Sequence, residues 1–336
     1  MANSASSRKR VRQTFMAIAL PAASAAAATF IFAGASSAQT YPSKPIKFVV
    51  PLAAGGPPDV MARLTAPALS ARLGQTVIVE NRAGGGGTIG TKQVASATPD
   101  GYTLLFSGSN FTLGPALIKN LGYDSVKDFA PIATVGSGSW ILVLAPSVPA
   151  RSVKELVDYA KANPGKLNWG FSVNTGPTLV GEMFVAATGI DVTRISYKGG
   201  PQAIGDLLGG HVNMNFSVTA SVLPLIREGK LRALAVTSEA RNADLPDVPT
   251  MIESGLPRLT RGFWTALLGP VGTSATIVSR LNAEINASLA TPEMKASLAK
   301  FGYEPKAGSP QDFAALLSEE IEAWKMAAKL AGIAPQ

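Results

Sequence analysis

The feature that most restricts the fold is a rhythm that begins at residue 46. A β-branched and aromatic run, Ile46-Lys47-Phe48-Val49-Val50, gives way to a glycine-bearing turn, then to a helical stretch over 58–73, then to a second run, Val77-Ile78-Val79-Glu80. Short apolar runs separated by helices pair in parallel, because a parallel pair needs a crossover, and this predicts an α/β architecture. The rhythm continues with a helix near 88–97, strands at 102–106 and 140–144, and a helix over 152–162 that Ser152 caps and Asn163-Pro164-Gly165 ends. Further strands fall at 167–171, 192–196, 212–216, 231–236 and 263–268, with helices between them and at 275–289 and 311–330.

With 336 residues, 46% of them hydrophobic and 15% charged, the chain can bury two cores. No repeat or low-complexity linker divides it, so two lobes would have to be joined by strands. The polar segment Gly136-Ser137-Gly138-Ser139 and the turn Gly229-Lys230 are the expected crossings. That makes 39–139 the first lobe, 140–230 the second, and 231–336 a return to the first, with the C-terminal helices and Trp324 packed on it.

Residues 1–38 belong to neither lobe. Arg8, Lys9, Arg10 and Arg12 precede an uncharged, alanine-rich run over 15–32, and the small residues Ala35-Ser36-Ser37-Ala38 follow. Basic head, apolar middle and small-residue exit predict a secretory signal peptide cleaved after Ala38, hence an exported protein. A retained anchor is disfavoured by Pro21 and by alanine in place of leucine. Arg8-Lys9-Arg10 lacks a consecutive arginine pair, which favours the general secretory route over the twin-arginine one.

The chain has no cysteine, which excludes disulfides, thiol catalysis, thiolate metal sites and a lipid-modified cysteine anchor. The formal charge is +8, four of those positive charges lie in the leader, and the mature chain keeps +4. No Lys/Arg cluster with interleaved aromatics remains, so no nucleic-acid partner is expected, while the mild positive excess suits anionic ligands.

Three polar loops stand at strand ends, where open α/β sheets place ligands. The first, around Ala53, Ala54, Gly55 and Gly56, leads into a helix start with Pro57, Pro58 and Asp59. It is either an anion site or an ordinary strand-to-helix turn in which the dipole favours Asp59. The second carries Ser172, Asn174, Thr175 and Thr178, neutral groups suited to a reversible carboxylate contact, although capping alone accounts for some of them. The third carries Ser107, Ser109 and Asn110.

Gly85-Gly86-Gly87-Thr88-Ile89-Gly90 matches a dinucleotide fingerprint, but the next strand ends at Phe106-Ser107 without an acidic residue for a ribose, so close helix packing is the better reading and no cofactor is expected. The only histidine, His211, sits in a turn, and no G-x-S-x-G elbow occurs. No calcium-loop spacing is present, so neither catalytic residues nor metal ligands are assigned.

Tyr41-Pro42-Ser43-Lys44-Pro45-Ile46, Val79-Glu80-Asn81-Arg82, Pro99-Asp100-Gly101-Tyr102, Tyr197-Lys198-Gly199, Asp206-Leu207-Leu208-Gly209-Gly210, Gly229-Lys230-Leu231-Arg232-Ala233 and Leu245-Pro246-Asp247-Val248-Pro249-Thr250 occur in one order along the mature chain. In these stretches the chain resembles the Bug-type, TctC-like periplasmic substrate-binding receptors of tripartite tricarboxylate transporters. The resemblance implies an α/β, two-lobe periplasmic binding protein of type II-like fold, with the ligand cleft between the lobes. Its loops at 53–56 and 172–178 would grip a carboxylate, partly through water. It also implies that Tyr197, Lys198 and Gly199 line the cleft and that Trp264 lies near the lobe interface. The implied partners are a small carboxylate and membrane subunits of the transporter, met by a monomeric receptor that is not an enzyme.

Two departures bear on the ligand. Ala53-Ala54 stands where proline is frequent, and Phe216-Ser217-Val218 lacks the acidic residue that many relatives carry. Without that acid an ammonium group is poorly served, which leaves a plain mono- or dicarboxylate, with an aromatic one admitted by Phe111, Phe171 and Phe216. A ligand-dependent sensor subunit and a secreted hydrolase are the rival readings.

Overall fold

The computed structural model describes residues 41–172, 175–197, 199–330 and 332–335; the leader expected over 1–38 lies outside them. The chain begins with β1 (Ile46–Val50), α1 (Pro57–Leu73), β2 (Val77–Asn81), α2 (Thr88–Ala95), β3 (Thr103–Gly108), α3 (Asn110–Leu117) and the long β4 (Phe129–Leu144). It continues through α4 (Val153–Ala162), β5 (Leu167–Ser172), α5 (Gly176–Thr188), β6 (Val192–Tyr197), α6 (Gly200–Leu208), β7 (Met214–Val218), α7 (Thr219–Arg227) and β8 (Arg232–Val236). The last elements are β9 (Gly262–Pro270), α8 (Ala275–Leu289), α9 (Pro292–Ala299), β10 (Glu304–Pro305) and α10 (Pro310–Leu330).

Local chemistry explains the boundaries. Paired prolines start α1, where no intrahelical N–H is lost, and Gly74 ends it in the left-handed region at φ 68°. Ser152 caps α4 as expected, its hydroxyl accepting the Glu155 N–H at 3.1 Å. Ile46, Phe48, Val49 and Val50 are all fully buried, as befits a strand with helices on both faces.

β1 lies between β2 and β3, parallel to both, and β9 adds antiparallel to β3. β4 joins the two halves of the sheet. Its segment Phe129–Ser139 runs antiparallel to β9, whereas Trp140–Leu144 pairs with β7, beyond which β5 and β6 continue in parallel. Two main cores follow. Phe48, Phe106 and Leu267 pack with Met61, Leu69 and Leu281 in the first lobe, and Leu142, Trp169 and Phe216 pack with Leu179 and Phe184 in the second.

Gly136-Ser137-Gly138-Ser139, expected as a crossing, lies within the sixteen-residue strand β4, whose pairing passes from β9 to β7 between Ser139 and Trp140. Two expectations are corrected. β8, assigned to the returning first lobe, pairs with Ile141–Leu144 of β4 and so belongs to the second half of the sheet. The turn at Gly229-Lys230 therefore joins α7 to a strand of that same half. The C-terminal helix does not pack on one lobe only: Phe313 and Leu317 of α10 meet Trp264 in the first, while Trp324 and Ala327 pack with Trp140 and Leu179 in the second.

Gly181 is a sensitive point of the second core. A Cβ there would stand 2.0 Å from Cζ2 of the fully buried Trp169. In an open helix the change from glycine to alanine stabilises by about 0.5–1 kcal/mol. Here overpacking reverses the sign, and Gly181→Ala is expected to lower stability by about 1–3 kcal/mol, read as a lower urea midpoint at unchanged m-value.

Candidate functional site

A cavity of about 980 Å³ opens between the two halves of the sheet, and the carboxyl ends of the strands lead into it. Gly55, Pro57 and Pro58 come from the β1–α1 turn, Ser109 and Asn110 from the start of α3, and Ser172, Thr175 and Thr178 from the β5–α5 turn. Gly199 to Pro201 come from the start of α6, and Val218 and Ser221 from that of α7. Five helix N-termini thus border one space. Among the described residues, no Asp, Glu, Lys, Arg or His side chain lines it.

The first-lobe loop is held by Asp59, which is almost fully buried. Its carboxylate accepts the Gly55 N–H at 2.8 Å, the Asn81 amide at 2.9 Å and the Arg63 guanidinium at 3.0 Å. Gly55 can take this position because it adopts φ 82° without a Cβ penalty. The Gly55 N–H is consequently spent on Asp59. Gly56 donates to the Ala53 carbonyl at 3.4 Å, and Ala53 and Ala54 are exposed on the outer side of the turn. Of these four residues only Gly55 reaches the cavity wall, and its N–H is turned to Asp59.

The next wall section is clamped more tightly. Ser109 accepts the Trp264 N–H on its hydroxyl oxygen at 2.8 Å and returns its own N–H to the Trp264 carbonyl at 3.2 Å. With that lone pair occupied, the Ser109 hydroxyl proton is left to donate. Behind it, Oε2 of Glu320 on α10 accepts both the Trp264 indole N–H and the Thr112 hydroxyl at 2.8 Å. Burial pushes the Glu320 carboxyl up, and these bonds offset only part of that. Ser107, assigned to the site, stays fully buried on β3 off the cavity wall, and Phe111 lies in the core, stacked on Tyr123 and edge-on to Phe129.

On the second-lobe side the hydroxyls point inward. Thr175 and Thr178 both donate to the Ser172 carbonyl, at 2.9 and 2.5 Å, and Ser217 donates to Oδ1 of Asn215 at 2.5 Å. With these bonds made, they present oxygen lone pairs to the cavity. What remains for an anion is the backbone at the start of α5, where Gly176 sits on the Trp140 ring: a Cβ there would stand 2.5 Å from Cζ2. Tyr197 does not line the cavity. Its hydroxyl donates to Asp206 at 2.6 Å, and burial together with that carboxylate pushes it up to about 12.

The cavity thus brings together Gly55, Ser109, Asn110, Ser172, Thr175, Thr178, Gly199, Phe216, Ser217 and Trp264 of the assigned residues. Ala53, Ala54, Gly56, Ser107 and Tyr197 stay off its wall, and Asn174 and Lys198 lie outside the described residues. Sequence reasoning missed Trp140, Trp169, Asn215, Phe263, Thr265 and Tyr303, which line it from strands and from the chain before β10. For Phe263 and Thr265 a signal existed, since they flank Trp264.

The model for the tripartite tricarboxylate transporter family receptor matches residues 61–333. The chain belongs to that family. Protein BugT of Bordetella pertussis is 38% identical over 300 residues, covering 88% of this chain and 92% of BugT. The solved structure of R. palustris Rpa4515 with adipate is similar at TM-score 0.73 and 34% identity, covering 88% of this chain and 100% of that one. The structure of MatC from Rhodopseudomonas palustris with bound malate is similar at TM-score 0.68 and 30% identity, covering 85% and 99%.

In this receptor the Asp59 clamp should show in the pH dependence of stability. Burial alone would raise the Asp59 carboxyl, but the Arg63 guanidinium, the Gly55 N–H and the Asn81 amide outweigh it and hold the group below the usual carboxylate range. A carboxyl lowered on folding contributes stability that is present above its unfolded value, near pH 4, and is lost as pH falls through the lower folded value. Asp59→Asn is expected to cost about 1–3 kcal/mol at pH 7, and the gap from wild type should narrow below pH 4 in urea titrations; a gap constant with pH would contradict the assignment.

Proposed function

We propose that the receptor captures a small organic carboxylate in the periplasm, without chemical conversion, and hands it to the membrane subunits of a tripartite tricarboxylate transporter. The observation that carries this reading is the convergence of five helix N-termini on a cavity whose described lining bears no charged side chain. A helix start favours an anion by roughly 0.3–1 kcal/mol, and up to about 2 when partly buried, so several together select a negative ligand with neutral groups alone. Hydrogen bonds to a charged group add about 1.5–3 kcal/mol each, and a micromolar affinity needs about 8 kcal/mol in all.

The rest of the wall is apolar and aromatic, with Trp140, Trp169, Phe171, Phe216 and Phe263 among its residues. These suit the body of the ligand, aliphatic or aromatic, while the helix starts receive its carboxylate. Adipate and malate, the molecules in the two similar structures, are accordingly the first candidates, with benzoate as an aromatic one. The second lobe in this reading runs from Trp140 through Val236, and β9 returns the chain to the first. The receptor works as a monomer exported by a leader cleaved after Ala38, so the periplasmic form should have an intact mass that begins at Gln39.

Trp140 and Trp169 line the cavity, so binding is readable without a label. Sodium adipate, sodium malate and sodium benzoate, each at millimolar concentration, are expected to include at least one that raises the melting temperature by several degrees and changes tryptophan fluorescence, since ligand at a hundred times Kd stabilises by about 2.7 kcal/mol. The bound compound should be recovered unaltered by NMR. Stabilisation by amino acids alone, or turnover of the added compound, would sink the reading.

A further inference from the structure

We propose that Thr265 is a ligand-contacting residue whose hydroxyl donates to an oxygen of the bound carboxylate from the first-lobe wall, an assignment that rests on the carboxylate-receptor reading above. Thr265 is fully buried, its Oγ1 has no hydrogen-bond partner, and it lines the cavity. Of the buried side-chain atoms left unpaired among the described residues, on Ser107, Arg261, Thr265 and Trp324, it is the one that belongs to a cavity-lining residue. A buried hydroxyl without a partner is unfavourable, and native proteins rarely keep one unless something else satisfies it.

The sheet explains why no neighbouring side chain pairs with the hydroxyl. Thr265 stands directly opposite Gly108 on β3 and opposite Gly136 on β4, so neither neighbouring strand places a side chain beside it. A Cβ at Gly108 would lie 3.4 Å from Cγ of Pro58 and 2.9 Å from the Trp264 carbonyl, and one at Gly136 would lie 3.2 Å from Cδ1 of Tyr303. The Gly–Thr–Gly row is therefore a trough filled by Pro58 and Tyr303, both of which line the cavity.

Strand alternation sets the depth of this trough. Leu267, two residues on, faces the same side and is packed in the first-lobe core with Phe106 and Met61, while Phe263, two residues back, lines the cavity. Trp264 points to the other face, toward Glu320. Thr265 is thus the polar step between a dry core and the cleft. Valine would fill the same volume without an unpaired hydroxyl, so packing alone does not call for threonine. Pro58 above it opens α1, which places the hydroxyl beside one of the helix starts that favour an anion.

The test compares Thr265→Val, which keeps the shape and removes the donor, with Thr265→Ser, which keeps the donor. Melting of the ligand-free proteins and calorimetric titration with sodium adipate, sodium malate and sodium benzoate are the readouts. Thr265→Val should melt at or above the wild-type temperature without ligand, yet bind the probes that wild type binds at least tenfold more weakly, with Thr265→Ser within about threefold of wild type. Thr265→Ala, which also removes the donor, carries the same tenfold expectation. Unchanged affinity in the valine variant overturns the assignment, and so does a ligand-free melting temperature lowered by several degrees, the mark of a structural partner such as a resident water. Wild type that binds none of the three probes overturns the carboxylate reading and this assignment with it, whereas wild-type binding that the valine variant matches overturns this assignment alone.

Discussion

The molecule depends on the continuity of strand β4. Its first eleven residues pair with β9 and its last five with β7, so one strand belongs to both halves of the sheet. A strand can change neighbours along its length only where both partners end, and strand ends are where the connecting loops and helix starts lie. The cavity therefore forms at the handover, beside Ser139 and Trp140. α10 reinforces the join from outside, with Trp324 against the Trp140 ring at 6.2 Å and Phe313 against Trp264 at 5.3 Å.

At such a site the direction of each hydrogen bond matters more than the count of polar residues. Asp59 takes the Gly55 N–H, and the Ser172 carbonyl takes two threonine protons. Ser109, by accepting from Trp264, keeps its own proton for the cavity. A carboxylate accepts hydrogen bonds and cannot use a lone pair, so walls that look alike in composition differ in what they offer. The helix starts supply the remaining positive potential, and they do so without the desolvation cost that a buried lysine or arginine would carry. Neutral recognition of this kind suits a receptor that must also release its ligand.

Much of the architecture was legible from residues alone, because it rests on local chemistry. The alternation of apolar runs with helices, the Ser152 cap and the glycine-bearing turns each report a backbone preference that acts within a few residues. The polar loops at the ends of β1, β3 and β5 were found for the same reason, and the cavity gathers residues from all three. The family-ordered motifs, spread along the mature chain, pointed to the receptor family to which the chain belongs.

Tertiary structure decided what depends on partners distant in the chain. Whether Gly136 to Ser139 bends or continues as strand is settled by β9 and β10, more than a hundred residues away. Whether β8 joins one half of the sheet or the other is settled by the free edge of Ile141–Leu144. Tyr197 turns to Asp206, and the protons of Thr175, Thr178 and Ser217 turn inward, because carbonyl and carboxylate acceptors lie within reach there. The sequence by itself determined which elements form and that their ends carry polar, glycine-rich loops, since those are matters of local backbone preference. Which atoms of those loops face the cleft, and with a donor or a lone pair, was decided only by packing, because a hydroxyl's direction follows its nearest acceptor and no local pattern encodes that.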